Sequence, residues 1–373
     1  MIYDEIMDEL KDRNVYLHKI YAPYYIMSYA MHGFNIYNQH NHVYWESKRI
    51  PNMRLHLLFI APPGGMKSFY MGTMGGDNHS IMGDTGFIMN YEASMTEAGF
   101  VGTLKDLGDG IVHTTEGAAQ TYEKGFCIID EFSAITNGMK VSYNSQMDTQ
   151  LLNVLDSGDV NKRLGSGKLE YHTDMTLWAG VQPARIDARS GLGRRLTFLN
   201  FLPTSVDNDN LMEAMHHNRN IKCDVSMRNI LREKIKQFNN DMECIKRIVF
   251  PDDIIEYYRN LGLASFEAPL FDRLILGYNL TKYGCSSRID IEYGDKELRL
   301  ILEREKEWRD EAMDIDYNQI LQIIKINGGS ITKRELVREC VRIGWNTQQV
   351  HDKVGDMLKY EMVKMNKNKI VVV

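Results

Sequence analysis

Leu57-Leu58-Phe59-Ile60-Ala61-Pro62-Pro63-Gly64-Gly65-Met66-Lys67-Ser68 is a short apolar run, then a Gly/Pro turn, then a Lys-Ser pair. That order predicts a buried strand, a tight turn and a helix N-terminus, whose backbone N–H groups can surround phosphates. Lys67 then reaches the β/γ-phosphates of ATP and Ser68 binds Mg²⁺, with Pro63, Gly64, Gly65, Met66 and Phe69 completing the nucleotide-contacting stretch. The loop departs from the strict G-x-x-x-x-G-K-[ST] spacing, because Ala61 and Met66 stand where that pattern has glycine. Taken alone it also fits the strand, turn and helix start of any α/β domain. Downstream, Phe126-Cys127-Ile128-Ile129-Asp130-Glu131 is an apolar strand ending in two carboxylates. At the end of a parallel strand, that pair suits metal positioning (Asp130) and water polarisation (Glu131).

Composition sets the frame for this pair. A chain of 373 residues, 43% of them hydrophobic, can bury a large core and form two or three units. The net charge of −6 provides no global attraction to nucleic acid, so any DNA contact needs a local basic surface. The five cysteines are scattered, with no C-x-x-C pair, which argues against a zinc site or a disulfide framework and fits reduced thiols in a cytoplasm. No apolar run approaches the roughly 18 to 20 residues of a membrane span. The start, Met-Ile-Tyr-Asp-Glu-Ile, is too acidic for a signal peptide. The expectation is a soluble, cytoplasmic, nucleoid-associated protein without membrane contact.

Working outward, residues 1 to 50 carry Ile26, Met27, Ala30 and Met31 at mixed helical spacing, which predicts helices leading into the first core strand. From about 55 to 203, the apolar runs Leu55–Ile60, Phe126–Ile129, Thr176–Gly180 and Leu196–Leu202 alternate with polar stretches, as in a parallel sheet covered by helices. Residues 1–206 are thus read as an α/β ATPase domain with N-terminal helices, and 207–312 as a helical lid with few strand signals. Within the lid, Glu297–Glu311 is dense in both charges and reads as an exposed helix or linker. Residues 313–373 form a third unit. Tyr317–Ile326 is a helix, Gly328-Gly329 a stop, Thr332 and Asn346 caps of two more helices, and Ile370–Val373 a terminal strand. Three helices and a β-ribbon make the winged-helix pattern. Its lysines could bind duplex DNA, while Glu335, Glu339, Asp352 and Asp356 suit a protein contact equally well.

Four further elements bear on chemistry. Val181-Gln182-Pro183 ends an apolar strand, where the Gln182 amide can hydrogen-bond the attacking water or the γ-phosphate, or be only a solvated loop glutamine. Gly191-Leu192-Gly193-Arg194-Arg195 precedes another apolar strand. There Arg194, or Arg195 in second place, can enter a neighbour's site as a trans arginine, the alternative being pairing with surface carboxylates. Arg273, in Phe271-Asp272-Arg273-Leu274-Ile275, suits a second sensor on bound nucleotide or a snorkelling surface residue. Finally, Val160 to Tyr171, with Gly-Ser-Gly at its centre, predicts a β-hairpin. Its Lys162, Arg163 and Lys168 can grip a phosphate backbone, or serve solubility.

These segments together resemble the ATPase core of the minichromosome maintenance (MCM) helicases, a branch of the AAA+ ATPases. That family writes its phosphate loop Gly-Asp-Pro-Gly-x-Ala-Lys-Ser, which Pro63, Gly64, Lys67 and Ser68 match. Gly125-Phe126-Cys127-Ile128-Ile129-Asp130-Glu131-Phe132 is similar to the family's Gly-Val-Cys-x-Ile-Asp-Glu-Phe. Thr96 to Phe100 and Thr115 to Ala118 fall at its helix-2 insertion, Val181-Gln182-Pro183 at its Ala-Asn-Pro, and Gly193-Arg194-Arg195-Leu196 at its Ser-Arg-Phe-Asp. The resemblance covers about residues 15 to 285. It implies a homo-hexameric ring that hydrolyses ATP with Mg²⁺ between subunits, translocates on single-stranded or forked DNA in its pore, and works with a replication-initiation partner. The departures are Gln182 for asparagine, Leu164 at the pore hairpin's lysine position, and no counterpart of the N-terminal oligonucleotide-binding domain or zinc ribbon. The expectation is a reduced form from an archaeon, virus or other mobile element. A protein-remodelling motor and a nucleotide-bound DNA scaffold are the rival readings.

Overall fold

The computed structural model describes residues 1–38, 44–45, 48–49, 53–76, 78–106, 112–133, 135, 145–164, 167–183, 191–203, 205–218, 225–313, 315–342, 345–359 and 362–372. Its centre is a five-stranded parallel sheet built from β1 (His56–Ile60), β2 (Met89–Glu92), β3 (Phe126–Ile129), β4 (Thr176–Val181) and β5 (Leu196–Asn200), in the spatial order β5-β1-β4-β3-β2. The register sets Val181 beside Ile60, Ala179 beside Ile129, and Asn200 beside Ile60. The carboxyl ends of the central strands therefore meet at one edge. Every residue of β1, β3, β4 and β5 is buried, as a parallel sheet covered on both faces requires, and this is why they read as unbroken apolar runs.

Helices α1 (Ile2–Asp12) and α2 (His18–Asn38) precede the sheet, and α3 (Lys67–Met71) follows the Gly/Pro turn after β1. Helix α2 is apolar on nearly all sides and is buried along most of its length. Its few polar groups tie it to the sheet: Trp178 Nε1 donates to Ser28 Oγ at 2.8 Å, and Ser28 Oγ donates to the Leu55 carbonyl at 2.6 Å. His32 Nδ1 lies 2.9 Å from Thr176 Oγ1, and burial pushes its pKa down to about 3, so the ring is neutral at ordinary pH.

Beyond the sheet come α4 (Val225–Asp241), α5 (Ala268–Tyr283) and α6 (Lys296–Met313). Helix α5 lies so close to α2 that a Cβ on Gly277 would sit 3.0 Å from both the Cβ and the carbonyl oxygen of Met27. One apolar core runs from Ile2 to Ala312 without a break at 206/207. Residues 207–312 are also not wholly helical. Arg247–Val249 and Arg288–Asp290 join Tyr44–Trp45 and Lys48–Arg49 in a small four-stranded sheet.

The expectation that Glu297–Glu311 forms an exposed helix or linker is corrected. Helix α6 lies against β5 and buries Leu298, Ile301, Leu302, Glu305, Trp308 and Arg309. The cause is the open edge of the sheet, whose unpaired backbone groups need partners. Glu305 Oε2 accepts from the Phe198 N–H at 3.1 Å. Arg309 donates to the carbonyls of Gly193 and Leu196, and to Glu305 Oε1 at 2.9 Å. A charged turn of helix thus completes the edge strand.

The last unit has its own core, centred on Ile320, Ile324, Leu336, Trp345, Val354 and Ile370. It comprises α7 (Ile315–Ile326), α8 (Lys333–Arg342), α9 (Thr347–Lys359) and an antiparallel sheet of Ser330–Thr332, Lys369–Val372 and Val363–Asn366. Both caps form as reciprocal boxes. The Glu335 N–H donates to Thr332 Oγ1 at 3.2 Å while Glu335 Oε2 accepts from the Thr332 N–H. Asn346 and Gln349 repeat the exchange at 2.8 and 3.0 Å.

Candidate active site

The candidate phosphate loop leaves β1 at Ile60, and its first N–H, on Ala61, donates to the Val181 carbonyl at 3.1 Å, so the loop begins stitched to the end of β4. A Cβ on Gly65 would lie 2.8 Å from the Pro62 carbonyl oxygen, so the tight turn excludes any side chain there. Met66 caps α3 in the left-handed region, φ 61°, a conformation that costs a non-glycine residue about 1–2 kcal/mol. Its side chain is buried, which offsets that cost.

Lys67 is buried, with Nζ donating to the carbonyls of Ala61 at 2.8 Å and Pro62 at 3.1 Å. Ser68 Oγ donates to Asp130 Oδ1 at 2.7 Å, so the loop and the acidic strand meet at the two atoms expected to share a cation. Gln182 Nε2 donates to Glu131 Oε2 at 3.2 Å, and the Ser133 N–H donates to Glu131 Oε1 at 3.4 Å. Lys67, Ser68, Asp130, Glu131 and Gln182 therefore converge from the ends of three adjacent strands. The donor set fits Mg²⁺, a hard cation that takes one or two protein oxygens and completes its shell with water and phosphates.

Gly180 in β4 holds this convergence at its spacing. A Cβ there would meet the Asp130 carbonyl oxygen at 2.5 Å and Lys67 Cδ at 3.2 Å. Gly180→Ala is expected to push the acidic strand away from the loop. Any nucleotide turnover should fall at least about tenfold, a displacement effect of the order expected for sub-ångström misplacement, with the circular dichroism spectrum retained.

A cavity of about 220 Å³ adjoins the loop, lined by Tyr16, Leu211 and Ala214 as well as Gly64 to Phe69. Phe69 is 39% exposed, so it borders the cavity without being locked into the core. Tyr16, Leu211 and Ala214 escaped sequence reasoning because no motif marks them; their apolar surfaces suit the flat face of a base.

The remaining candidates lie elsewhere. Arg194 is exposed, its guanidinium 4.8 Å from the Phe266 ring centroid, whereas Arg195 is paired with Asp156. Both precede β5, whose first residue Leu196 pairs with His56, at the sheet edge opposite the phosphate loop. At about 3.3 Å per residue the strand alone separates them from the loop by roughly 15 Å. Arg273 donates to the Arg54 carbonyl at 3.2 Å, ahead of β1, and so also lies at that opposite edge. The geometry does not bring Arg194, Arg195 or Arg273 to the loop of their own chain.

The basic hairpin forms as Asp159–Leu164 paired with Gly167–His172. Its register sets Arg163 directly opposite Lys168 on the solvent face, while Lys162 opposes the buried Leu169 on the other face. Two of the three cations therefore share a surface. The hairpin packs on a second one, Gly102–Asp106 with Val112–Glu116, where Tyr171 Oη donates to the Val101 carbonyl at 2.7 Å.

No helix among the described residues is long and apolar enough to cross a membrane. No protein-family model matches the sequence, nor does any characterised protein.

Proposed function

We propose that this chain is an MCM-like AAA+ ATPase, a DNA helicase or translocase of replication that works as a ring with ATP sites between subunits. The observation that carries the reading is the hydrogen-bonded convergence of Ser68, Asp130, Glu131 and Gln182 beside Lys67 at the carboxyl ends of β1, β3 and β4. That edge is where open parallel sheets bind ligands. Lys67 and the loop N–H groups hold the phosphates, and Glu131, oriented by Gln182, takes up the proton of the attacking water. Ser68 and Asp130 would hold Mg²⁺, which when bound would supply positive charge against the phosphates.

The exposed Arg194, facing away from its own loop, reaches a neighbour's γ-phosphate in a ring. Arg273, held at the same edge by the Arg54 carbonyl, takes no part in the site in this reading. The Arg163 and Lys168 pair opposes like charges across a ladder, an arrangement that a phosphate placed between them relieves. The terminal three-helix unit is a winged helix in this reading.

A protein-remodelling motor is the second reading. One observation favours it: Lys168 Nζ lies 2.6 Å from Glu170 Oε2, which lowers its charge toward DNA. Fluorescence anisotropy with a single-stranded oligonucleotide separates the two. Binding should weaken steeply with salt, and Arg163→Ala with Lys168→Ala should flatten the log–log slope by about 1.4, at roughly 0.7 per lost phosphate contact. An unchanged affinity and slope in the double variant would move the assignment to the remodeller.

A further inference from the structure

Helix α7 has two faces. Ile320 and Ile324 enter the core of its own unit, whereas Gln319, Gln322, Ile323 and Ile326, at positions i, i+3, i+4 and i+7, line a second cavity. That cavity measures about 400 Å³, and its opposite wall is the phosphate loop itself, Pro62 to Gly65, flanked by the ends of β4 and β5 at Pro183 and Pro203. Arg342, from α8, stands in the same wall as the glutamines.

That wall holds the donors Gln319, Gln322, Asn327 and Arg342, and one carboxylate, Glu339. Gln319 is 2% exposed; its Oε1 accepts from Trp345 Nε1 at 2.9 Å, and its Nε2 is buried without a hydrogen-bond partner among the described residues. A buried, unsatisfied amide donor costs about 1–3 kcal/mol unless something fills its place. Arg342 is held at the rim by Glu339, with Nη1 at 3.0 Å from Oε1. An orphan amide donor in the lining and a guanidinium at the rim, across a cavity of ligand size from the Gly/Pro turn, point to an anion lying between the two walls.

We infer that the terminal unit is the second jaw of the nucleotide cleft, with Gln319, Gln322 and Arg342 reading the terminal phosphate of a nucleoside triphosphate. This rests on the reading of Lys67 and Ser68 as a nucleotide site. The base end occupies the cavity of Tyr16 and Leu211, and the two cavities share Gly64 and Gly65. A diphosphate leaves the jaw without its ligand, so the unit docks tightly with ATP and loosely with ADP.

The test is calorimetric titration of the full chain with ATP and with ADP, in Mg²⁺, in a Glu131→Gln background. Arg342→Ala removes an exposed side chain and leaves Glu339 facing the phosphate. Gln319→Glu keeps the acceptor for Trp345 and replaces the donor by a carboxylate. Each should lower ATP affinity about tenfold or more, the worth of a charge-assisted contact, with ADP affinity held within about twofold. Hydrogen exchange should show added protection across residues 315–342 with ATP and not with ADP. Parent-like ATP binding in both variants, or equal losses for ATP and ADP, overturns the inference while leaving the nucleotide site intact. A parent protein that binds neither nucleotide overturns the site and the inference together.

Discussion

Glu131→Gln is expected to cut ATP turnover by about a hundredfold or more while leaving ATP bound, the scale on which a positioned general base contributes. Two donors fix this carboxylate, the Gln182 amide at 3.2 Å and the Ser133 N–H at 3.4 Å, and it stands one residue past the metal-binding candidate Asp130. The amide retains the size and most of the packing of the carboxylate but cannot accept a proton. Lys67→Ala should behave differently, because it removes a charge from the phosphates in the ground state as well as in the transition state. Its loss should appear in nucleotide affinity and in turnover alike. Steady-state kinetics beside equilibrium titration distinguish the two variants. A Glu131→Gln protein that turns over at the parental rate would remove Glu131 from the reaction.

The largest stability effect is expected far from that cleft. Glu305→Ala should cost about 3–5 kcal/mol, because it strips the nearer of two carboxylates from a buried arginine, leaving only Glu267 at 3.7 Å, and leaves the Phe198 N–H of the edge strand unsatisfied. Denaturant unfolding measures this. Burial pushes the Glu305 carboxyl up to about 7 from an ordinary 4.5, against the opposing pull of Arg309. The folded state then holds this proton over a range in which the unfolded state has released it. The associated stability is complete below about pH 4.5 and disappears as pH rises through about 7. Wild type should therefore lose more stability between pH 5 and pH 8 than Glu305→Gln does, although the variant starts lower. Equal slopes would mean that Glu305 titrates normally.

That helix also shows where the sequence misleads. Lys296–Met313 is so rich in charge that it reads as solvated, yet Glu305 and Arg309, one turn apart, hydrogen-bond each other and complete a strand about a hundred residues away. Charge density reports exposure only when the charges lack partners inside. The strand and tight turn before Lys67 and the acidic strand end were legible because their signals are local: an apolar run, a turn that excludes a Cβ at Gly65, and carboxylates at a strand end. The Thr332 and Asn346 caps were legible for the same reason, each box closing within three residues. The pairing of Tyr44–Trp45 with Arg247–Ile248 left no local trace, since strands this short carry no period. Lys162, Arg163 and Lys168 read from the sequence as one phosphate grip, although the period of two puts the neighbours Lys162 and Arg163 on opposite faces. Which sheet edge Arg194 and Arg273 occupy follows only from register, and that fact turns both away from their own phosphate loop.

The central claim is an ATP-driven motor on DNA, and the most direct measurement is the hydrolysis rate of the purified chain with and without single-stranded DNA, with Lys67→Ala as the blank. The account predicts turnover that vanishes in the blank and rises several-fold when DNA is added. Turnover that depends on Lys67 but ignores DNA would contradict translocation, and turnover equal to the blank under both conditions would contradict the enzyme itself.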